Sequence, residues 1–171
     1  MRVVNVEIKA RCADPERVRA ALHQRQARFA GADHQVDTYF HVPEGRLKLR
    51  QGNIENALIY YRRPNQAGPK QSDVLLYGVE RGAELRALLA AALGVLVTVD
   101  KQREIYYAGN VKCHIDDVHS LGTFVEIEAA GGEHADRSVL LRQCRELMEA
   151  FGVGEAELVA ESYSDLLLAR S

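Results

Sequence analysis

The chain has 171 residues, a net charge of −2 and an apolar fraction of 47%, which together exclude a disordered chain and are ordinary for a soluble globular protein. This length predicts one domain spanning residues 1–171. The nearly balanced charge argues against a general affinity for polyanions, so neither a nucleic acid nor a membrane partner is expected.

The chain also lacks the patterns of membrane insertion and secretion. No apolar run approaches the ~18 residues that cross a bilayer, and the opening sequence MRVVNVEIK has no apolar signal-peptide core. We therefore expect a cytoplasmic location. The cysteines, Cys12, Cys113 and Cys144, are odd in number and not closely paired, which predicts reduced, small apolar side chains instead of a disulfide framework or metal site.

The predicted elements are short strands interrupted by helices. A strand at 4–12 precedes a helix within 14–31, with Asp14 as the N-cap and Pro15 at the first helical position. Alternating segments bounded by Gly, Pro and Asn then predict seven further strands, at 34–42, 46–52, 56–64, 72–79, 95–108, 111–118 and 122–131. Helical periodicity predicts the remaining helices, at 81–94, 134–152 and 162–169.

Eight mostly antiparallel strands broken by helices predict an α+β fold whose sheet curls into a barrel or splayed tunnel. A flat sheet covered on one side by helices is the alternative. The placement of charges distinguishes the two, because side chains alternate between the faces of a strand.

The charged faces of the predicted strands are segregated by sign. The first strand carries Asn5, Glu7, Lys9 and Arg11 on one face and apolar residues on the other. Elsewhere the basic residues are Arg46, Lys48, Arg50, Arg62, Lys101 and Arg103, and the acidic ones are Asp116, Glu126 and Glu128. Solvation explains any one such face, but the segregation favours charged faces that meet around a common cavity.

Such a cavity has a definite chemistry. Rows of Arg and Lys bind phosphate oxygens, and carboxylates bind Mg²⁺, which commonly shares one or two of them with substrate phosphates. The pattern therefore indicates a site for a metal-bound polyphosphate.

These segments resemble the CYTH superfamily, the triphosphate tunnel metalloenzymes that include class IV adenylyl cyclases and thiamine triphosphatases. VNVEIKA is similar to the E-x-E-x-K signature, and the likeness continues through QVDTYF, LKLR, YYRRP, DKQREIYY, HIDDVHSLGTFVEIEA and ESYSDLLL. The KQR-x-IY, LG-x-FVEIE and SY-x-x-LL pieces look most like the class IV cyclase branch. The resemblance implies a single CYTH-like domain, an eight-stranded antiparallel closed β-barrel with flanking helices.

The resemblance also implies roles for individual residues. The matching metal-binding acids are Glu7, Asp116, Glu126 and Glu128. The matching triphosphate-binding residues are Lys9, Arg50, Arg62, Lys101 and Arg103, with Arg46 and Lys48 as additions. The implied catalytic set is Glu7, Lys9, Asp116 and Glu126. Asn5 departs from the signature, since it replaces the first glutamate, removes a negative charge and weakens a second metal site.

The leading interpretation is a Mg²⁺- or Mn²⁺-dependent enzyme acting on a small-molecule triphosphate, most like a class IV adenylyl cyclase that converts ATP to cyclic AMP and pyrophosphate. A triphosphatase acting on thiamine triphosphate, inorganic triphosphate or a nucleoside triphosphate stays open as an alternative. A non-catalytic binder of polyphosphate or nucleotide, suggested by Asn5, and a structural domain with solvated charges are the other hypotheses. A homodimer is expected only because dimers are the commonest oligomers.

Overall fold

The computed structural model of the protein describes residues 4–62, 65–67, 73–132 and 134–171. The described residues form eight strands: β1 Val4–Arg11, β2 Arg28–Phe40, β3 Arg46–Gln51, β4 Ala57–Arg62, β5 Asp73–Gly78, β6 Val95–Ala108, β7 Val111–Val118 and β8 Gly122–Gly131. They also form four α-helices: α1 Pro15–Gln24, α2 Gly82–Leu93, α3 Arg137–Ala150 and α4 Tyr163–Leu168. The predicted order of elements is confirmed; positions 63, 64 and 72 of the predicted strands lie outside the described residues.

Helix α1 is shorter than predicted. It begins as expected, because the Asp14 carboxylate caps it by accepting a hydrogen bond from the Arg17 backbone amide at 3.1 Å. It ends at Gln24, and Gln26 has the left-handed φ of 55°, which no α-helix continues through. The prediction of helix up to residue 31 is therefore wrong: Arg28 opens β2 and pairs with Tyr107 of β6.

The strands form one antiparallel sheet in the order β1-β8-β7-β6-β2-β3-β4-β5. Strands β2 and β6, with 13 and 14 residues, are the longest and pair along most of their length at the centre of the order. The predicted α+β fold with an eight-stranded curled sheet is thus confirmed. Among the described residues the hydrogen-bonded ladders end at β1 and β5, so the sheet is a half-barrel with a concave interior and not the fully closed barrel that the resemblance implies.

The apolar faces of β1, β7 and β8 pack against α1 and α3. This core buries Val6, Ile8, Leu22, Cys144 and Leu147 with other aliphatic side chains. Each buried Val, Leu or Ile side chain contributes roughly 1.5–3 kcal/mol to folding by leaving water. Because Val6 and Ile8 face the helices, the neighbouring Asn5, Glu7 and Lys9 face the concave side. All three cysteines are buried free thiols, as predicted.

The C-terminal segment closes one side of the concave face. The Val159 amide donates to the Lys9 carbonyl at 2.9 Å, which covers the outer edge of β1. Ser162 then caps α4: its Oγ accepts from the Asp165 amide at 3.1 Å, and an Asp165 oxygen accepts from the Ser162 amide at 3.2 Å. This reciprocal cap places Tyr163 over the concave face. None of the helices in the described ranges is long and apolar enough to cross a bilayer.

Candidate active site

The concave face encloses a cavity of about 480 Å³. Its wall includes most of the charged residues that the sequence predicts for the site, namely Glu7, Lys9, Lys48, Arg50, Lys101, Arg103, Glu126 and Glu128. The charged strand faces therefore turn inward around a shared space.

Strand register brings the acids together. In the β1–β8 ladder Glu7 is directly opposite Glu128, and Lys9 is opposite Glu126. Directly opposed side chains lie close enough to interact, and Lys9 Nζ is 3.4 Å from Glu126 Oε1. Burial lowers the pKa of Lys9, whereas the charge of Glu126 raises it. The β1–β8 side of the cavity is thus a row of carboxylates with one buried lysine.

A buried carboxylate organises the basic side of the cavity. Asp37 of β2 accepts hydrogen bonds from Arg50 Nε and Nη2, both at 2.9 Å, from Lys101 Nζ at 2.9 Å and from Lys48 Nζ at 3.0 Å. Burial alone would raise the pKa of Asp37, but the charges of Arg50, Lys101 and Lys48 hold it well below its usual value. Asp37 therefore stays ionised and fixes three basic side chains against the cavity.

Lys101 has an unusual electrostatic environment. Only 2% of this residue is exposed, and burial lowers the pKa of Lys101 to about 7 in spite of the attraction of Asp37. The positive charges of Arg50 and Arg103 also favour the neutral form. A lysine that loses its proton near neutrality responds strongly to an anionic ligand.

Arg103 is held by a second buried carboxylate. Asp116 of β7 accepts from Arg103 Nε at 2.7 Å and Nη2 at 2.6 Å, and from the Tyr163 hydroxyl at 2.7 Å. Arg103 Nη2 also donates to Glu126 Oε2 at 2.9 Å. Asp116 is 0% exposed and lies behind Arg103, not on the cavity wall. Asp116 therefore positions Arg103, and the metal-binding role that the resemblance implies for it stays a prediction.

Two predicted phosphate ligands lie away from the cavity. Arg46 Nη2 donates to Asp165 at 2.7 Å, which ties β3 to α4. The Arg62 side chain is 60% exposed and pairs with Glu44 at 2.8 Å. Neither arginine lines the cavity, because each lies at a strand end that extends beyond it.

The oxygen donors of the acidic row suit a divalent cation. Asn5 Nδ2 donates to Glu128 Oε1 at 2.8 Å, whereas Asn5 Oδ1 is buried without a hydrogen-bond partner. Burial raises the pKa of Glu128. A cation near Glu7, Glu126 and Glu128 would stabilise the ionised carboxylates and supply a partner for the orphaned amide oxygen.

These acids do not form a complete cage for an ion. Within the described ranges, no group of three or more His, Cys, Asp or Glu side chains is arranged to hold a metal ion. A bound Mg²⁺ or Mn²⁺ would therefore complete its coordination with phosphate oxygens and water, as Mg²⁺ commonly does. These oxygen donors therefore fit a cation that binds together with a phosphate-containing molecule.

Other residues of the cavity wall were absent from the predicted set. They include Glu55, Lys112, His114 and Tyr163. Lys112 and His114 share a strand face with Asp116, so the alternation of VKCHIDDV was a usable signal for them. Glu55 lies in the β3–β4 turn, where alternation carries no information.

His114 is a neutral, buried member of this wall. Its Nδ1 lies 3.3 Å from Glu126 Oε2, and its Nε2 is buried without a hydrogen-bond partner. Burial, followed by the charge of Arg103, lowers the pKa of His114 to about 4. A neutral imidazole beside a carboxylate places its proton on Nδ1, so His114 donates to Glu126 and helps to orient it.

Comparison with known proteins identifies the family of this chain. Residues 4–163 match the family model for the CYTH domain. A Methanocaldococcus jannaschii protein provisionally named adenylate cyclase is 24% identical over 174 residues, covering 96% of this chain and 98% of the relative.

Solved structures show the same fold. A Pyrococcus horikoshii OT3 protein superposes with a TM-score of 0.80 at 21% identity, covering 95% of this chain and 98% of the other. A Hippeastrum protein, provisionally named adenylyl cyclase and described as having a dominant triphosphatase activity, has a TM-score of 0.62 at 14% identity, covering 97% and 95% of the two chains. Because the family model spans nearly the whole sequence, the chain belongs to the CYTH domain family.

Proposed function

We propose that this protein is a divalent-metal-dependent enzyme that acts on a nucleoside or other organic triphosphate, most like a class IV adenylyl cyclase. One observation carries the proposal: a single cavity joins a basic wall to an acidic wall. The basic wall is Lys48, Arg50, Lys101 and Arg103, and the acidic wall is Glu7, Glu126 and Glu128. This arrangement binds phosphate oxygens on one side and their cation on the other.

The basic wall is preorganised. Asp37 holds Arg50 and Asp116 holds Arg103, each through two hydrogen bonds to one guanidinium edge. Since these side chains are already ordered, binding of a triphosphate loses little of their conformational entropy. The same charges stabilise negative charge that develops on the phosphate oxygens during reaction.

The acidic wall would hold the cation. Glu7, Glu126 and Glu128 would bind Mg²⁺ or Mn²⁺, with the Asn5 carbonyl oxygen as an additional donor. A bound cation neutralises phosphate oxygens and orients the reacting groups. Lys9, which pairs with Glu126 at the border of the two walls, would bind a phosphate beside the cation.

The cavity also has an apolar part, formed by Ile59, Val74 and Leu76 with Tyr39 and Tyr61. Apolar and aromatic surface commonly binds the organic group of a ligand, which favours an organic triphosphate over an inorganic one. In cyclisation of ATP, the ribose 3′-oxygen attacks the α-phosphorus, the bond from that phosphorus to the bridging oxygen breaks, and pyrophosphate leaves as the hydroxyl loses its proton. The basic wall would hold the departing pyrophosphate.

Hydrolysis is the second candidate. The activity described for the Hippeastrum protein supports it, since that protein shares the fold. Water would attack the γ-phosphorus, the bond from that phosphorus to the β–γ bridging oxygen would break, and phosphate and the remaining diphosphate would leave from the same basic wall.

A product assay tests the proposal. Purified protein is incubated with ATP, thiamine triphosphate or tripolyphosphate and with Mg²⁺ or Mn²⁺, and the products are separated. Cyclic AMP with pyrophosphate supports the cyclase, and phosphate release supports the triphosphatase. Metal-dependent turnover should disappear in the Glu7→Gln variant and in excess chelator. Tight binding without any product would identify a non-catalytic binder instead.

A further inference from the structure

Glu55 is an acid of the cavity that lies apart from the acidic wall. It belongs to the turn between β3 and β4, and its carboxylate reaches two cations from different strands. Its Oε2 accepts from Arg50 Nη1 of β3 at 3.1 Å, and its Oε1 accepts from Lys112 Nζ of β7. Strands β2 and β6 lie between β3 and β7 in the sheet, so Glu55 spans the concave face.

The turn that carries Glu55 is held firmly by Asp33. This carboxylate is 0% exposed and accepts hydrogen bonds from the Ile54 amide at 2.9 Å and the Glu55 amide at 3.0 Å. It also packs against Gly52, where an added Cβ would lie 2.7 Å from both Asp33 oxygens. The backbone of Glu55 is therefore fixed independently of its side chain.

Arg50 does not need Glu55 for its orientation. Asp37 already binds Nε and Nη2 of Arg50, which leaves the Nη1 edge for another anion. Within the described part of the chain, Glu55 makes the only ion pair of Lys112. Two cations from separate strands thus converge on one carboxylate, as they would on a phosphoryl group.

Glu55 is an anion under ordinary conditions. Burial would raise its pKa, but the hydrogen bond and charge of Lys112, with the charge of Arg50, lower the pKa of Glu55 to about 2. Its carboxylate therefore competes with any anion that approaches these cations.

We propose that Arg50 and Lys112 form a phosphoryl subsite and that Glu55 is its internal occupant, displaced when a triphosphate binds. This inference rests on the proposed function. It makes Lys112 a binding residue and Glu55 a determinant of specificity. A triphosphate that is also held by Lys48, Lys101 and Arg103 can displace the carboxylate, whereas a shorter phosphate with fewer contacts competes poorly.

Calorimetric titration of tripolyphosphate and pyrophosphate in Mg²⁺-free buffer tests this inference. Glu55→Gln should tighten pyrophosphate binding about tenfold, which is the scale of one charge-assisted hydrogen bond. The ratio of tripolyphosphate affinity to pyrophosphate affinity should therefore become smaller. Lys112→Met should weaken tripolyphosphate binding by about tenfold. Glu44→Gln is the matched control, because it removes the same charge from an exposed pair outside the cavity and should change neither affinity more than about twofold.

The outcomes separate this inference from the proposed function. If the unaltered protein binds tripolyphosphate but Glu55→Gln binds either ligand no better than Glu44→Gln does, Glu55 is not a competitor and the inference fails alone. If neither the unaltered protein nor Glu55→Gln binds tripolyphosphate, both fail. Lys112→Met tests the same subsite without altering the turn, and unchanged binding by that folded variant would also overturn the inference.

Discussion

Asp37 and Arg50 form a buried, two-bonded ion pair between adjacent strands, with Nε–Oδ1 and Nη2–Oδ2 distances of 2.9 Å. The two residues are direct partners in the β2–β3 ladder. Lys101 and Lys48 donate to the same carboxylate. Three of the four residues of the basic wall therefore share one negative charge, whereas Arg103 is held by Asp116.

Replacing Asp37 by asparagine should cost the protein much of its stability. The change removes the counter-charge of the buried Lys101 and the two-bonded partner of Arg50, which keeps its contact with Glu55, and breaking a buried pair in this way costs about 3–5 kcal/mol. Urea denaturation measures the free energy of unfolding. Glu44→Gln, which breaks an exposed pair, should cost no more than about 1 kcal/mol. A loss for Asp37→Asn as small as that of the control would contradict this account.

Tyr163→Phe should destabilise the protein through Asp116. The tyrosine hydroxyl donates to the buried carboxylate at 2.7 Å, and a hydrogen bond to a charged group is worth about 1.5–3 kcal/mol. Denaturation should show a loss in this range. Tyr106→Phe is a matched control, since its hydroxyl donates at 2.8 Å to the partly exposed Glu104 and should matter less. Equal losses in the two variants would argue against a special role for the Asp116 contact.

The variants Lys48→Ala and Arg62→Ala compare a predicted phosphate-binding residue that lines the cavity with one that lies outside it. Lys48 lines the cavity, so its removal should weaken tripolyphosphate binding by about tenfold. Arg62 points to solvent beside Glu44, so its removal should change affinity by less than about twofold. Calorimetry provides both values. A large effect at Arg62 would mean that the ligand extends beyond this cavity.

The lowered pKa of Lys101 predicts that the protein takes up a proton when it binds a triphosphate. Burial lowers the pKa of Lys101 to about 7, so at pH 8 roughly nine tenths of the free protein carries it neutral. A triphosphate favours the charged form, so binding should take up a proton and weaken as the pH rises from about 7 to 9. Titration in buffers of different ionisation enthalpy measures the uptake.

Lys101→Arg is the control for that measurement, because arginine stays charged and removes this contribution. Equal proton uptake by both proteins would refute the assignment to Lys101. The effect of pH on folding stability has the opposite sign to its effect on ligand binding. The folded pKa of about 7 lies below the ordinary 10.5, so between these values the unfolded chain holds more protons and this group makes stability rise with pH.

Strand alternation predicted most of the charged residues of the cavity wall for a physical reason. Val6 and Ile8 must enter the core, which sends Glu7 and Lys9 to the other face, and the same rule applies to β3, β6 and β8. Alternation does not report how far a strand extends past the cavity. Arg46 shares a face with Lys48 but lies at the start of β3, where it meets Asp165.

The other differences between the sequence predictions and the structure arise from tertiary contacts. Asp37 and Asp116 are visible in the sequence as acids, but only the packing shows that they hold Arg50 and Arg103 from behind. Glu55 could not be predicted, because a turn has no alternation and its contact with Lys112 joins strands that are not neighbours. The early start of β2 was missed because the backbone reversal at Gln26 has no strong sequence signal.

The acidic wall comes from β1 and β8, whereas Lys48 and Arg50 come from β3, in the other half of the sheet. The turn after β3 is fastened by Asp33, so it does not depend on the carboxylate row for its shape. Substitutions in the β3–β4 hairpin can therefore change the basic side of the cavity during evolution while the acidic wall is inherited unchanged.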